Sequence, residues 1–269
     1  MESYTDVGES VGPYVRMREI GNIRVITLAR PERANALVQE LIDGVRECVI
    51  RISEDEDARA VVLTALGPNF STGGDVAAFA AHEGPDLAAY ARDMVGSLNG
   101  MIIDLMRLPI PVVTAARGAI TGGSLGFLLA SDVVLLAPGA FVAPYYVDVG
   151  FSPDGGWTAI LPQRIGRTRA AMVQFANESI DVQRALAWGL AADVADDVEE
   201  TATEMAQHFA SKKREAVVRT KLLLRDDLTQ LEGRLDAELA NFVEQIQTEE
   251  ARVGMNDFLG RQGATRGEG

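Results

Sequence analysis

The sequence predicts an α/β core of buried, mostly parallel strands followed by a helical C-terminal subdomain. Three observations carry that reading. Apolar runs of strand length alternate with helical patterns as far as Pro162, strand signals then stop, and 47% of the 269 residues are hydrophobic against 24% charged, enough for a sizeable core.

The strand-like runs lie at 25–28, 60–63, 111–115 and 133–136. They are apolar but for Thr27 and Thr114 and show no polar alternation, as expected of strands covered on both faces. Leu37, Leu41, Val45 and Ile52 mark a helix before the second run, and 87–105 supports another before the third. Beyond Pro162 the text is helical at 185–189, at 211–225 and in a long segment from Leu231. There Leu231, Leu235, Leu239, Phe242 and Ile246 line one helix face, for packing onto the core or onto a neighbouring subunit. The expected division is a catalytic core over 1–200 and a helical subdomain over 201–269.

Charge and composition exclude several functions. A net charge of −14 repels nucleic acid and anionic lipid. The single Cys48 allows no internal disulfide and no multi-cysteine cluster, and His82 and His208 leave little for a histidine metal centre, so no metal is expected. The opening MESYTDVGES has neither a basic nor an apolar signal region, and the greasiest stretch, 133–147, is broken by Pro138, Gly139 and Pro144. A cytoplasmic protein without membrane spans is expected.

Two glycine-rich turns follow strand-like runs: Phe70-Ser71-Thr72-Gly73-Gly74-Asp75 and Gly118-Ala119-Ile120-Thr121-Gly122-Gly123-Ser124. Glycine removes the Cβ that would keep backbone away from a ligand. Two such turns can aim two N–H groups at one oxygen, the arrangement that stabilises an oxyanion or enolate. Each turn alone also reads as a plain strand-to-helix connection.

The segment Ile26-Thr27-Leu28-Ala29-Arg30-Pro31-Glu32-Arg33-Ala34-Asn35-Ala36-Leu37 resembles the opening signature of the enoyl-CoA hydratase/isomerase (crotonase) family, and the glycine turns fall where that family has its oxyanion motifs. Gly150-Phe151-Ser152-Pro153-Asp154-Gly155-Gly156-Trp157, then Ala185-Leu186-Ala187-Trp188-Gly189-Leu190, match in order, and 254–261 matches more loosely. The resemblance implies a crotonase-like spiral of ββα units, a C-terminal helical trimerisation subdomain, assembly as a homotrimer or dimer of trimers, and an acyl-CoA thioester substrate. Coenzyme A then enters as part of the substrate, with no separate cofactor. Carried over, the N–H groups of Gly74 and Gly123 hold the thioester oxygen. Arg33 and Ala34 run beside the nucleotide, Lys221 and Arg261 stand near the adenosine phosphate, and Phe258 approaches the adenine across a subunit boundary. The other cations of that helix, Lys212, Lys213, Arg214, Arg219 and Arg225, read as a solvated face.

Family hydratases use two glutamates to handle water. The resemblance puts Gly126 and Tyr146 at those positions, so ordinary hydration is disfavoured. Asp154 stands where family isomerases of the dienoyl-CoA kind carry a catalytic aspartate. One carboxylate suffices to move a proton between two carbons of an enolate. Asp154 reads equally well as an N-cap before a helix at Thr158. Asp148 is a second acidic candidate, in an assisting or a solvated role. Tyr145 and Tyr146 either wall the acyl pocket or pack in the core, the latter reading suiting Tyr145 better. Asp75 is expected to cap or orient its helix.

The expected function is therefore an enoyl-CoA isomerase, with a hydratase or an inert CoA-binding protein as alternatives. A serine hydrolase also enters, because Gly122-Gly123-Ser124-Leu125-Gly126 fits G-x-S-x-G, although the only downstream histidine is His208 in a helical segment.

Overall fold

Every residue of β3 (Ile23–Leu28) and β4 (Ala60–Ala65) is buried, which explains the absence of polar alternation along them. The computed structural model describes residues 8–225 and 227–266, with side chains to 261. The opening segment read for targeting therefore lies outside the described residues up to position 7, as do 226 and 267–269 of the C-terminal subdomain.

The remaining strands are β1 (Glu9–Ser10), β2 (Val15–Ile20), β5 (Val112–Ala116), β6 (Ala119–Thr121), β7 (Val133–Leu136), β8 (Phe141–Ala143), β9 (Ile180–Asp181) and β10 (Asp193–Val194). The larger sheet has the order β1-β2-β3-β4-β5-β7-β10, and β6-β8-β9 form a second sheet. Antiparallel pairing joins β1 to β2 and β2 to β3, and the order from β3 to β10 is parallel. Thus two strands do follow Pro162. Each has two residues, too short to leave a periodic signal.

Helices fill the connections: α1 (Gln39–Glu54), α2 (Val76–Ala80), α3 (Gly84–Arg107), α4 (Leu125–Leu129), α5 (Tyr146–Val149), α6 (Leu161–Ile165), α7 (Arg167–Phe175), α8 (Val182–Trp188), α9 (Val198–Ala210), α10 (Arg214–Leu224), α11 (Leu228–Gln245) and α12 (Glu249–Arg266). The pleat sorts side chains to two faces. Ile23, Val25, Ala60, Val62, Val113 and Ala115 meet Val198, Ala202 and Ala206 of α9. Ile26, Leu28, Val61 and Leu63 face the opposite cluster, which contains α1, α3 and α11.

Leu231, Leu235 and Phe242 of α11 and Ile246 at its C-cap are buried, and α11 packs on α3 of its own chain, where Asn99 Nδ2 donates to Leu235 O at 3.0 Å. Position 200 falls within α9, and α11 and α12 share the main apolar cluster. No described helix is long and apolar enough to cross a membrane.

Candidate active site

The two glycine turns are tied to one another. Ser71 N–H donates to Ala119 O and Thr121 N–H returns a bond to Ser71 O, both at 3.1 Å, so the first turn runs as a parallel partner of β6. Ser124 Oγ donates to Ser71 O at 3.1 Å and to Thr121 O at 2.7 Å. Gly73, at φ +75°, brings its backbone so close to the second turn that a Cβ there would lie 2.5 Å from Thr121 O.

Gly74 and Gly123 consequently line one cavity of about 840 Å³. Leu37 N–H donates to Gly73 O and Asp75 N–H to Leu37 O, a pairing that passes over the Gly74 N–H. Gly123 is the second residue of a 3-10 turn over Gly122–Ser124, where helix geometry supplies its N–H no acceptor. Neither N–H has a hydrogen-bond partner among the described residues. Trp157 Nε1 pins this turn by donating to Gly122 O at 2.7 Å.

Asp154 faces the second turn. A Cβ on Gly123 would lie 2.7 Å from its Oδ1, which places the carboxylate directly against that glycine. Tyr146 Oη–H donates to Oδ1 at 2.6 Å and, at 3.3 Å, to the main-chain oxygen of Asp154. No hydrogen bond engages Oδ2 among the described residues, and the side chain lines the cavity. Burial pushes the Asp154 carboxyl up to about 7; the Tyr146 hydroxyl pulls it down and the Glu238 charge raises it further. Burial, then the Asp154 charge, hold the Tyr146 phenol well above its usual range, so it stays a donor. Phe79, Met94, Leu98, Phe151 and Phe242 supply apolar wall, with Phe151 and Phe242 edge to face at 5.4 Å.

An enoyl-CoA hydratase/isomerase family profile matches residues 18–265. The chain belongs to this family. It is 30% identical over 196 residues to the 1,2-epoxyphenylacetyl-CoA isomerase of Escherichia coli, covering 71% of this chain and 73% of that one. It is 31% identical over 210 residues to the human mitochondrial Δ(3,5)-Δ(2,4)-dienoyl-CoA isomerase, 74% of this chain and 64% of that protein. A probable enoyl-CoA hydratase of Mycobacterium tuberculosis is 30% identical over 84% of this chain and 86% of its own. Among solved structures, an enoyl-CoA hydratase/isomerase from Mycobacterium paratuberculosis superimposes with a TM-score of 0.84 at 30% identity, over 91% of this chain and 98% of that one. The crotonase-like fold is thereby established, and enzymes of the enoyl-CoA hydratase/isomerase family act on acyl-CoA substrates.

Against this family background, several expectations need correction. Asp154 is no N-cap: residues 155–160 form turns, the helix starts at Leu161, and the carboxylate is turned to Tyr146. Asp75 makes no capping bond; its buried carboxylate pairs with Arg33 at 3.1 Å and Arg30 at 3.4 Å. Gly126 does not line the cavity but packs inside α4, where a Cβ would lie 2.5 Å from Ile102 Cδ1. Lys221 is also absent from the lining. Its buried Nζ donates to Ile110 O at 2.8 Å and to Asp132 Oδ2 at 2.7 Å, anchoring α10 to the sheet. Tyr145 is half-exposed at φ +59° while Tyr146 is buried, the reverse of the expected order.

Arg33, Ala34, Phe258 and Arg261 do line the cavity, bringing two guanidinium groups and an aromatic ring to it. Phe258 lines the cavity of its own chain, because α12 folds back onto α2 and α5. Asp148 lines the cavity and accepts from Asn177 Nδ2 at 2.6 Å. Ser124 spends its hydroxyl joining the two turns, and His208 is exposed on α9, so no hydrolase pair forms.

Sequence reasoning missed Glu238. It falls on the apolar stripe of α11, three residues after Leu235 and four before Phe242, and a lone carboxylate on such a stripe was the available signal.

Proposed function

We propose that the protein is an isomerase that shifts the double bond of an enoyl-CoA thioester by proton transfer. The observation that carries this reading is Asp154, buried in the cavity beside Gly123, one oxygen fixed by Tyr146 and the other open. In this reading the N–H groups of Gly74 and Gly123 donate to the thioester oxygen. Their bonds strengthen as the carbonyl gains negative charge, so the enolate is stabilised more than the substrate. Asp154 takes the proton from one carbon and returns it to another, and a carboxylate with a pKa of about 7 is suited to both directions near neutrality.

Arg33, Ala34, Phe258 and Arg261 would hold the coenzyme A portion, and assembly into trimers belongs to the same proposal. Hydration needs a second acid–base group to handle water. The packing around Gly126 leaves no room for a carboxylate side chain there, and Tyr146 already serves Asp154. Relatives named as isomerases are compatible with the same choice, and those named as probable hydratases mark the alternative.

The test is a panel of 3-enoyl-CoA and 2-enoyl-CoA thioesters assayed for isomerisation and hydration. Wild type is expected to isomerise, and Asp154→Asn to bind thioester while losing most turnover. Hydration that survives Asp154→Asn would overturn the proposal, as would binding without turnover in the wild type.

A further inference from the structure

We propose that Glu238 of α11 is the positioning residue for Asp154: its buried carboxylate clamps the segment that presents Asp154 to the cavity. The inference rests on the isomerase reading for the use made of Asp154.

Between Asp154 and α6 the chain forms turns. The N–H groups of Trp157, Ile160 and Leu161 donate to main-chain carbonyls within the segment. Those of Gly156, Thr158 and Ala159 instead converge on Glu238, at 2.8, 2.6 and 2.7 Å, and the Thr158 hydroxyl adds a fourth bond at 2.7 Å. Gly156, two residues from Asp154, donates to Oε2; the other three bonds share Oε1. A carboxylate placed on an apolar stripe carries a heavy desolvation cost, and a leucine there would pack more cheaply. Three main-chain donors and a hydroxyl offset that cost only while the segment keeps this one shape.

The clamp also has an electrostatic consequence. The charged and titratable groups facing Asp154 and its segment are Tyr146 from α5 and Glu238 and Arg234 from α11, the last donating to Thr158 O at 2.7 Å. The negative charge of Glu238 disfavours ionisation of Asp154, in the same direction as burial. Glu238 touches no cavity space itself; it acts through the segment and through its charge.

Two variants separate these effects. Glu238→Gln removes the charge and turns an amide group against one of the donors. Glu238→Asp keeps the charge but retracts it by one methylene, and serves should the first variant fold poorly. The carboxyl stretch of Asp154, assigned by its absence from Asp154→Asn, is titrated by difference infrared spectroscopy in protein whose fold is checked by circular dichroism. The midpoint is expected to move to lower pH in Glu238→Gln and to stay near wild type in Glu238→Asp. In both variants kcat is expected to fall about tenfold or more with KM within about threefold, the signature of a displaced catalytic group. A midpoint that stays in place in Glu238→Gln, or kcat unchanged in both variants, overturns the proposal. The infrared titration does not depend on turnover, so an Asp154→Asn enzyme with full activity would remove the isomerase reading and leave the clamp to be judged by its own titration.

Discussion

At the residue scale, the two glycines of the site differ in what surrounds them. A Cβ on Gly123 would lie 2.7 Å from Asp154 Oδ1 and 2.8 Å from Leu98 Cδ2, whereas on Gly74 the nearest atom is Phe79 Cε2 at 3.1 Å, the edge of a ring. Gly123→Ala is therefore expected to displace both the amide and the carboxylate, and to cost about 10² to 10³ in kcat, the range for losing one oxyanion donor. Gly74→Ala is expected to cost less, with the order read from steady-state kinetics of the two variants. Both glycines were legible in the sequence because their signal is local: repeated glycine after an apolar run. The partner of Asp154 was less so. Tyr146 lies eight residues before it, and only the folded turn shows that its phenol meets the carboxylate and that Asp154 caps no helix.

Among elements, the strands and the long helices were readable because burial on two faces, or on one stripe, writes itself into the order of apolar residues. The two-residue strands β9 and β10 carry no such pattern. Contacts that cross the chain were equally hidden: Glu238 reaches a segment about 80 positions away, and Lys221 turns inward to Ile110 and Asp132 where a position near the adenosine phosphate was expected. Trp157 joins two elements that the sequence separates, donating from its indole to Gly122 in the second glycine turn. Trp157→Phe is expected to leave that carbonyl short of a donor and to destabilise the protein by about 1–3 kcal/mol, measured by denaturant unfolding.

For the whole molecule, the site imposes a stability cost with a definite pH dependence. Asp154 has an ordinary carboxyl value of 3.8 and is raised to about 7 by burial in the folded protein. The folded state therefore holds its proton more tightly than the unfolded chain, so this group costs nothing below about pH 4 and its full penalty above about pH 7. Asp154→Asn removes the penalty while its amide oxygen still accepts from Tyr146. The variant is expected to melt above wild type at pH 8, the gain shrinking as the pH falls through the window from 7 to 4. Equal melting temperatures at pH 8 would mean that Asp154 ionises freely where it stands. Such a cost, accepted beside the apolar wall of Phe79, Met94, Leu98, Phe151 and Phe242, fits a group kept for chemistry.

The most direct measurement of that chemistry is exchange of the α-proton of a saturated acyl-CoA for solvent deuterium, followed by NMR. It needs no knowledge of the natural acyl chain. The wild type is expected to incorporate deuterium at the α-carbon, with Asp154→Asn reduced to background although it still binds the thioester. No incorporation by a wild type that binds the ligand, or undiminished incorporation by Asp154→Asn, would contradict the assignment of Asp154 as the base beside an enolate held by Gly74 and Gly123.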